Sequence, residues 1–162
     1  MSERISCDLC PRKCALLEGQ VGFCAARMRK GDEIVSKTYG LLSSLALDPI
    51  EKKPLAYFKP GSTILSVGSF GCNMACPFCQ NATIAQVKDT KWQSHVHKVS
   101  PDVLCDLAWA SRRRGNIGVA FTYNEPLVNY EFVLDTAKLV RQADMETVLV
   151  TNGQINPPYL EK

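Results

Sequence analysis

Ile64-Leu65-Ser66-Val67-Gly68 leads through Ser69-Phe70 into Gly71-Cys72-Asn73-Met74-Ala75-Cys76-Pro77-Phe78-Cys79-Gln80-Asn81. The first segment is a short continuous apolar run ending in glycine, the pattern of a strand buried on both faces. The second carries three thiols at Cys-x3-Cys-x2-Cys spacing. A thiol loop directly after a strand falls at the C-terminal edge of a parallel sheet, where α/β proteins build their sites.

Toward the C-terminus, strand, loop and helix repeat. Ser100-Pro101-Asp102 opens a helix, with serine as cap and proline at the first helical position. Val103, Leu104, Leu107 and Ala108 give that helix an apolar stripe. Arg112-Arg113-Arg114 then Gly115 closes it, with cations at the negative end of the helix dipole. Ile117-Gly118-Val119-Ala120-Phe121-Thr122 reads as the second strand. Pro126 opens the next helix, with Tyr130, Val133, Leu134, Ala137 and Val140 on one side, and Thr147-Val148-Leu149-Val150-Thr151 is the third strand. Asn156-Pro157-Pro158 begins another helix. The expected fold class is α/β, a parallel sheet covered by helices. Three strands are few against the usual ~5–6, and a full eight-stranded barrel takes ~250 residues. The expectation is a truncated barrel, its third strand left as an exposed edge.

Toward the N-terminus the character changes. Residues 1–36 are rich in cysteine and basic (Arg12, Lys13, Arg27, Arg29, Lys30), with a hairpin turn at Gly31-Asp32. So small a module buries little apolar area and calls for a metal staple. Residues 37–60, punctuated by Asp48-Pro49 and Lys53-Pro54, read as a connector. Residues 61–162 form the α/β body.

The composition is that of an ordinary globular chain: 46% hydrophobic, 22% charged, net charge +3 over 162 residues. No run reaches the ~18–20 apolar residues that span a bilayer. Met1 to Cys7 has no apolar h-region of a secretion signal, so a cytoplasmic protein without membrane partners is expected. The charge is too small to point to nucleic acid. Eight cysteines stand out, dividing into Cys7, Cys10, Cys14 and Cys24; Cys72, Cys76 and Cys79; and Cys105 alone. Disulfides belong mainly to secreted chains; clustered cysteines in a cytosolic chain read as metal or redox sites.

Iron–sulfur clusters are normally held by four cysteine thiolates. A loop supplying three leaves one iron open, the mark of a catalytic rather than a structural metal site. A zinc loop or a ferredoxin-type transfer cluster is the alternative, but Cys-x3-Cys-x2-Cys fits neither the paired zinc spacing nor the ferredoxin spacings.

Cys72, Cys76 and Cys79 after the first strand, with Phe78 just before the last of them, resemble the radical S-adenosylmethionine (SAM) superfamily. The resemblance implies a [4Fe–4S] cluster on these three cysteines. SAM would chelate the fourth iron and be cleaved by one electron to methionine and a 5′-deoxyadenosyl radical, which abstracts hydrogen from a substrate. The electron would come from an external reductant of the flavodoxin or ferredoxin class. Thr122-Tyr123-Asn124-Glu125-Pro126 resembles the family's Gly-Gly-Glu turn, with Tyr123-Asn124 in place of the two glycines. Glu125 would accept the SAM ammonium, and Phe78, Asn124 and Asn152, the last in Thr151-Asn152-Gly153, would also contact SAM. Taken singly, both turns also read as ordinary capping turns.

Cys7-x2-Cys10-x3-Cys14-x9-Cys24 supplies four thiolates, enough to close a tetrahedral zinc site or hold an auxiliary Fe–S cluster; free thiols are the remaining reading. These motifs, with Asp48-Pro49-Ile50-Glu51-Lys52-Lys53-Pro54-Leu55, look like the radical SAM enzyme of the AmmeMemoRadiSam system, itself similar to the pyruvate formate-lyase activating enzyme. That resemblance implies a partial (β/α)6 TIM-type barrel, of which the first three βα units are present, and by analogy a protein glycyl substrate. A barrel cut there would leave the SAM site incomplete and the fragment without activity. The competing class is a zinc-stabilised binding scaffold, or an Fe–S electron-transfer module without SAM chemistry. Cys105, Trp92 and Trp109 read as packing residues, His95 and His97 as exposed, and Arg112–Arg114 as solvated helix-end charges.

Overall fold

The computed structural model describes residues 3–87 and 96–161. The N-terminal segment is built from short antiparallel pairs. Strand β1 (Ile5–Ser6) pairs with β2 (Ala15–Leu16), and β3 (Arg27–Lys30) with β4 (Glu33–Ser36) around the expected Gly31-Asp32 turn. A segment this small cannot cover its own apolar residues. Cys7 and Leu9 instead pack with Leu127, Tyr130 and Ile155 of the body. Arg27 adds an ion pair to Glu131, at 2.5 and 2.8 Å.

The connector reading of residues 37–60 gives way to further strands. After β5 (Leu41–Leu42) comes β6 (Ser44–Pro49), which pairs antiparallel with β7 (Thr63–Gly68) from Ser44 opposite Gly68 to Pro49 opposite Thr63. The sheet is therefore mixed, not wholly parallel. Helix α1 (Ala82–Ala85) follows the thiol loop, and β8 (His97–Lys98) returns to pair with β5. Then come α2 (Pro101–Ala110), β9 (Asn116–Phe121), α3 (Tyr130–Gln142) and β10 (Glu146–Leu149). The main sheet has the order β10-β9-β7-β6, with β7, β9 and β10 parallel. Pro49 is tolerated because β6 is an edge strand, where a missing N–H breaks no ladder.

Leu65, Val67, Val119 and Phe121 pack on one face of the sheet against Leu104 and Ala108 of α2 and Phe132, Val133 and Val140 of α3. Phe132 meets the ring of Phe121 edge-on at 6.4 Å and that of Tyr39 at 5.3 Å. Helix α2 buries a narrower stripe than expected: Val103 and Leu107 are exposed. Ile50, Ile64 and Ala120 fill the other face. Trp109 is half exposed and lies under the Arg112 guanidinium, 4.5 Å from the ring centre. Cys105 is partly buried against the main core, and His97 is exposed. The readings made for Trp92 and His95 fall outside the described residues. Among those described, no helix is long and apolar enough to cross a membrane.

Beside the sheet lies a buried charged group. Asp48 on β6 accepts from Lys52 (2.9 Å), Lys53 (2.8 Å) and the Tyr123 hydroxyl (2.6 Å). These three donors outweigh the cost of burial and hold the Asp48 carboxyl well below the usual range. Burial, then the bond to Asp48, pushes the Tyr123 hydroxyl up to about 12, so it remains a donor at neutral pH.

Candidate functional site

Three parallel strands deliver their following loops to one edge of the sheet. After β7 come the three cysteines, after β9 the Thr122–Glu125 turn, and after β10 the Thr151–Gly153 turn. Side chains lace the three together. Asn124 accepts from the Ser69 backbone N–H (2.9 Å) and donates to the Gly71 carbonyl (3.0 Å). Glu125 is 3% exposed. Its Oε1 accepts from the Leu127 N–H (3.0 Å) and the Thr151 hydroxyl (2.7 Å), and its Oε2 from the Asn152 N–H (2.8 Å). Asn152 in turn donates from Nδ2 to Asn73 Oδ1 (2.9 Å) and to Cys72 Sγ (3.8 Å). Asn73 donates to the Gln154 carbonyl (2.7 Å).

The turn after β9 holds a left-handed residue, a conformation that glycine adopts freely. Tyr123 has φ +72°, a left-handed conformation that costs a side-chain residue about 1–2 kcal/mol. Its bond to Asp48 and the Lys53 ammonium 5.1 Å over its ring offset that strain. Gly68 makes room for it: a Cβ there would stand 2.9 Å from Tyr123 Cδ2.

Of the expected site residues, Cys72, Cys76 and Cys79 share the loop, each partly buried. Burial pushes the Cys72 thiol up. The Met74 N–H to its sulfur (3.3 Å) works against this, while the Glu125 carboxylate and the other two thiols add to it. Phe78 stands out from the loop, 86% exposed. Glu125 and Asn124 already have partners within the protein. Three of the roughly four lone-pair sites on the Glu125 carboxylate are taken by its own chain, and both ends of the Asn124 amide are engaged. They clamp the loops together, and Glu125 also caps the 3-10 turn Pro126–Asn129. Of the residues sequence reading missed, Asn73 adjoins Cys72, and Arg12 falls inside Cys10-x3-Cys14. Those positions were the available signals.

Arg12 brings the N-terminal module to the site, its Nε donating to the Asn73 carbonyl at 2.5 Å while the guanidinium stacks 3.5 Å over Phe23. Gly71, at φ +91°, lies so close to the Cys24 carbonyl that a Cβ would stand 2.1 Å from that oxygen. Gly71→Ala is expected to cost about 2–4 kcal/mol through this overlap and the left-handed backbone, measured by urea unfolding.

The sequence profile of the radical SAM superfamily matches residues 66–162. The chain belongs to the radical SAM superfamily. The match begins inside β7 and covers all three loops of the site. An uncharacterised protein of Methanocaldococcus jannaschii is 38% identical over 159 residues, 98% of this chain and 45% of that protein. The chain thus spans about half the length of this curated relative. No solved structure matches. Radical SAM proteins normally use a [4Fe–4S] cluster and SAM, and the donor set fits: three thiols on one loop, one sulfur already receiving two N–H groups. Among the described residues, no three His, Cys, Asp or Glu side chains are prearranged around a metal ion.

Proposed function

We propose that Cys72, Cys76 and Cys79 hold a [4Fe–4S] cluster at which SAM binds and is reductively cleaved, in an enzyme that abstracts hydrogen from its substrate. When bound, the cluster would supply the electron and SAM the 5′-deoxyadenosyl radical; the chain supplies binding, orientation and exclusion of water. The observation that carries the reading is the three-thiol loop at the end of β7, tied by Asn124 and Asn152 to the loops after β9 and β10. The Met74 and Asn152 N–H groups aimed at Cys72 Sγ favour its thiolate. Phe78, exposed beside Cys79, offers a face for an adenine ring. Glu125 acts as a positioning residue: it holds the Asn152 backbone, and Asn152 holds Cys72 and Asn73. The Asp48–Leu55 and four-cysteine motifs support a place beside the activating-enzyme-like members, with a protein glycyl site as substrate and a flavodoxin or ferredoxin as electron donor.

The test is 5′-deoxyadenosine release from SAM by the anaerobically reconstituted, reduced protein. Release dependent on the cluster supports the reading, and a fully loaded cluster with no release from either this chain or a longer one containing it sinks it. Glu125→Gln places an amide NH2 against one of the N–H donors that the carboxylate satisfied. It should cost about 1–3 kcal/mol, keep its iron, and lose most of the SAM-induced change in the cluster's paramagnetic spectrum. Iron content and spectra of the two proteins check this.

A further inference from the structure

Cys7, Cys10, Cys14 and Cys24 lie outside the residues matched to the superfamily, and the proposed cleavage chemistry leaves them unused. Backbone bonds bring them together. Cys7 N–H donates to the Cys14 carbonyl (2.9 Å), closing the loop from 7 to 14. Gly22 N–H donates to the Arg27 carbonyl (2.8 Å), closing the turn that carries Cys24. All four cysteines line one cavity of about 10 Å³. Among the described residues, no carboxylate or imidazole lines it.

Three features of this cavity point to a ligand. Burial pushes the Cys7 and Cys24 thiols up, while the backbone N–H groups of Leu9 toward Cys7 and of Ala26 and Arg27 toward Cys24 work against it. Such bonds stabilise thiolate rather than thiol. Next, Arg27 also lines the cavity; it is 6% exposed, and its Nε has no hydrogen-bond partner although its other nitrogens bond Glu131 and Ile34. A buried N–H donor left unpaired loses its hydration without compensation, so an acceptor is called for. Finally, a divalent ion with four thiolates carries a net charge of −2, and the cavity holds two guanidinium groups, Arg27 and Arg12, to face it.

We propose that these four cysteines form a second, structural metal site binding one Zn²⁺ ion, with Arg27 Nε–H as donor to a ligating sulfur. An all-thiolate set selects zinc or iron–sulfur over calcium and magnesium. A cavity with room for about one water-sized sphere suits a single ion and not a cube of four irons and four sulfides. Binding draws the four sulfurs to about 2.3 Å from the ion, the staple that the small N-terminal segment calls for. It also fixes Arg12 and the Cys24 carbonyl against the loop of Cys72.

The experiment uses the chain with Cys72, Cys76 and Cys79 all changed to alanine, so its outcome is independent of the proposed cleavage chemistry. The expected result is about one zinc and no iron per chain. Replacing that zinc with Co²⁺ should give the visible ligand-field bands of a tetrahedral thiolate site. Cys10→Ser with Cys14→Ser in that background should lose the metal. Arg27→Lys, which keeps the charge but removes the Nε–H, should bind zinc roughly tenfold more weakly in a chelator competition. Iron with sulfide in place of zinc, or a folded protein with neither metal, would overturn the site. Undiminished affinity in Arg27→Lys would overturn the role given to Arg27.

Discussion

Cys76→Ala is expected to remove the [4Fe–4S] cluster altogether, taking iron bound after reconstitution from about four per chain to none and SAM cleavage with it. The loop has three thiols for a cluster that needs one per anchored iron, so no thiol is left over to replace one. The loss should not come from unfolding. What Cys76 gives the fold is its backbone carbonyl, which accepts from the Cys79 N–H (3.1 Å) and from Gln86 Nε2 (2.9 Å), and alanine retains it. The variant should therefore keep the circular dichroism and unfolding midpoint of the parent. Iron and sulfide analysis decides the matter: an intact cluster in Cys76→Ala would mean that the ligands are other residues.

Asp48→Ala is expected to be the most destabilising single change away from the cysteines, by about 3–5 kcal/mol. Removing one partner of a buried ion pair leaves the other charge uncompensated. The Lys53 side chain is 2% exposed, with its ammonium 2.8 Å from Asp48. The Tyr123 hydroxyl would lose its acceptor as well, and with it part of what offsets the positive φ at the turn after β9. For a chain of this size the fall in Tm is on the order of 10 °C. The pH dependence follows from the depressed carboxyl of Asp48. The stability it contributes is fully present above the unfolded-state value, about 3.9, and is lost as pH falls toward the lower folded value. Asp48→Asn should therefore be less stable than the parent at neutral pH and lose less stability between neutral pH and the acid limb. Parallel acid slopes in thermal unfolding of the two proteins would refute the assignment.

Where the sequence could be read and where it could not has physical causes. Continuous apolar runs at Ile64–Val67, Ile117–Thr122 and Thr147–Thr151 placed the three parallel strands to within one or two residues; β7 and β9 are largely buried and tolerate little else, while β10 is a half-exposed edge strand that keeps the apolar run. Ser44–Pro49 escaped because an edge strand may carry serine, aspartate and proline. On α2, Val103 and Leu107 have the right spacing, yet the face it turns to β9 and α3 is only as wide as Leu104 and Ala108. At the site, residue type and spacing singled out the thiol loop and the two turns. Burial was not legible: Glu125 and Asn124 could be named from the motif, but that their polar atoms are spent on Ser69, Gly71, Leu127, Thr151 and Asn152 depends on tertiary placement. The bracing of the thiol loop by Arg12 joins residues 61 apart in sequence, which no local pattern encodes.

A cluster on the three-cysteine loop with one iron open to SAM would respond to SAM in the electron paramagnetic resonance spectrum of the reconstituted, reduced protein, recorded with and without SAM. The expected result is a reduced [4Fe–4S] signal whose g values shift on adding SAM, absent in Cys76→Ala. A fully loaded cluster whose spectrum is the same with and without SAM would contradict it.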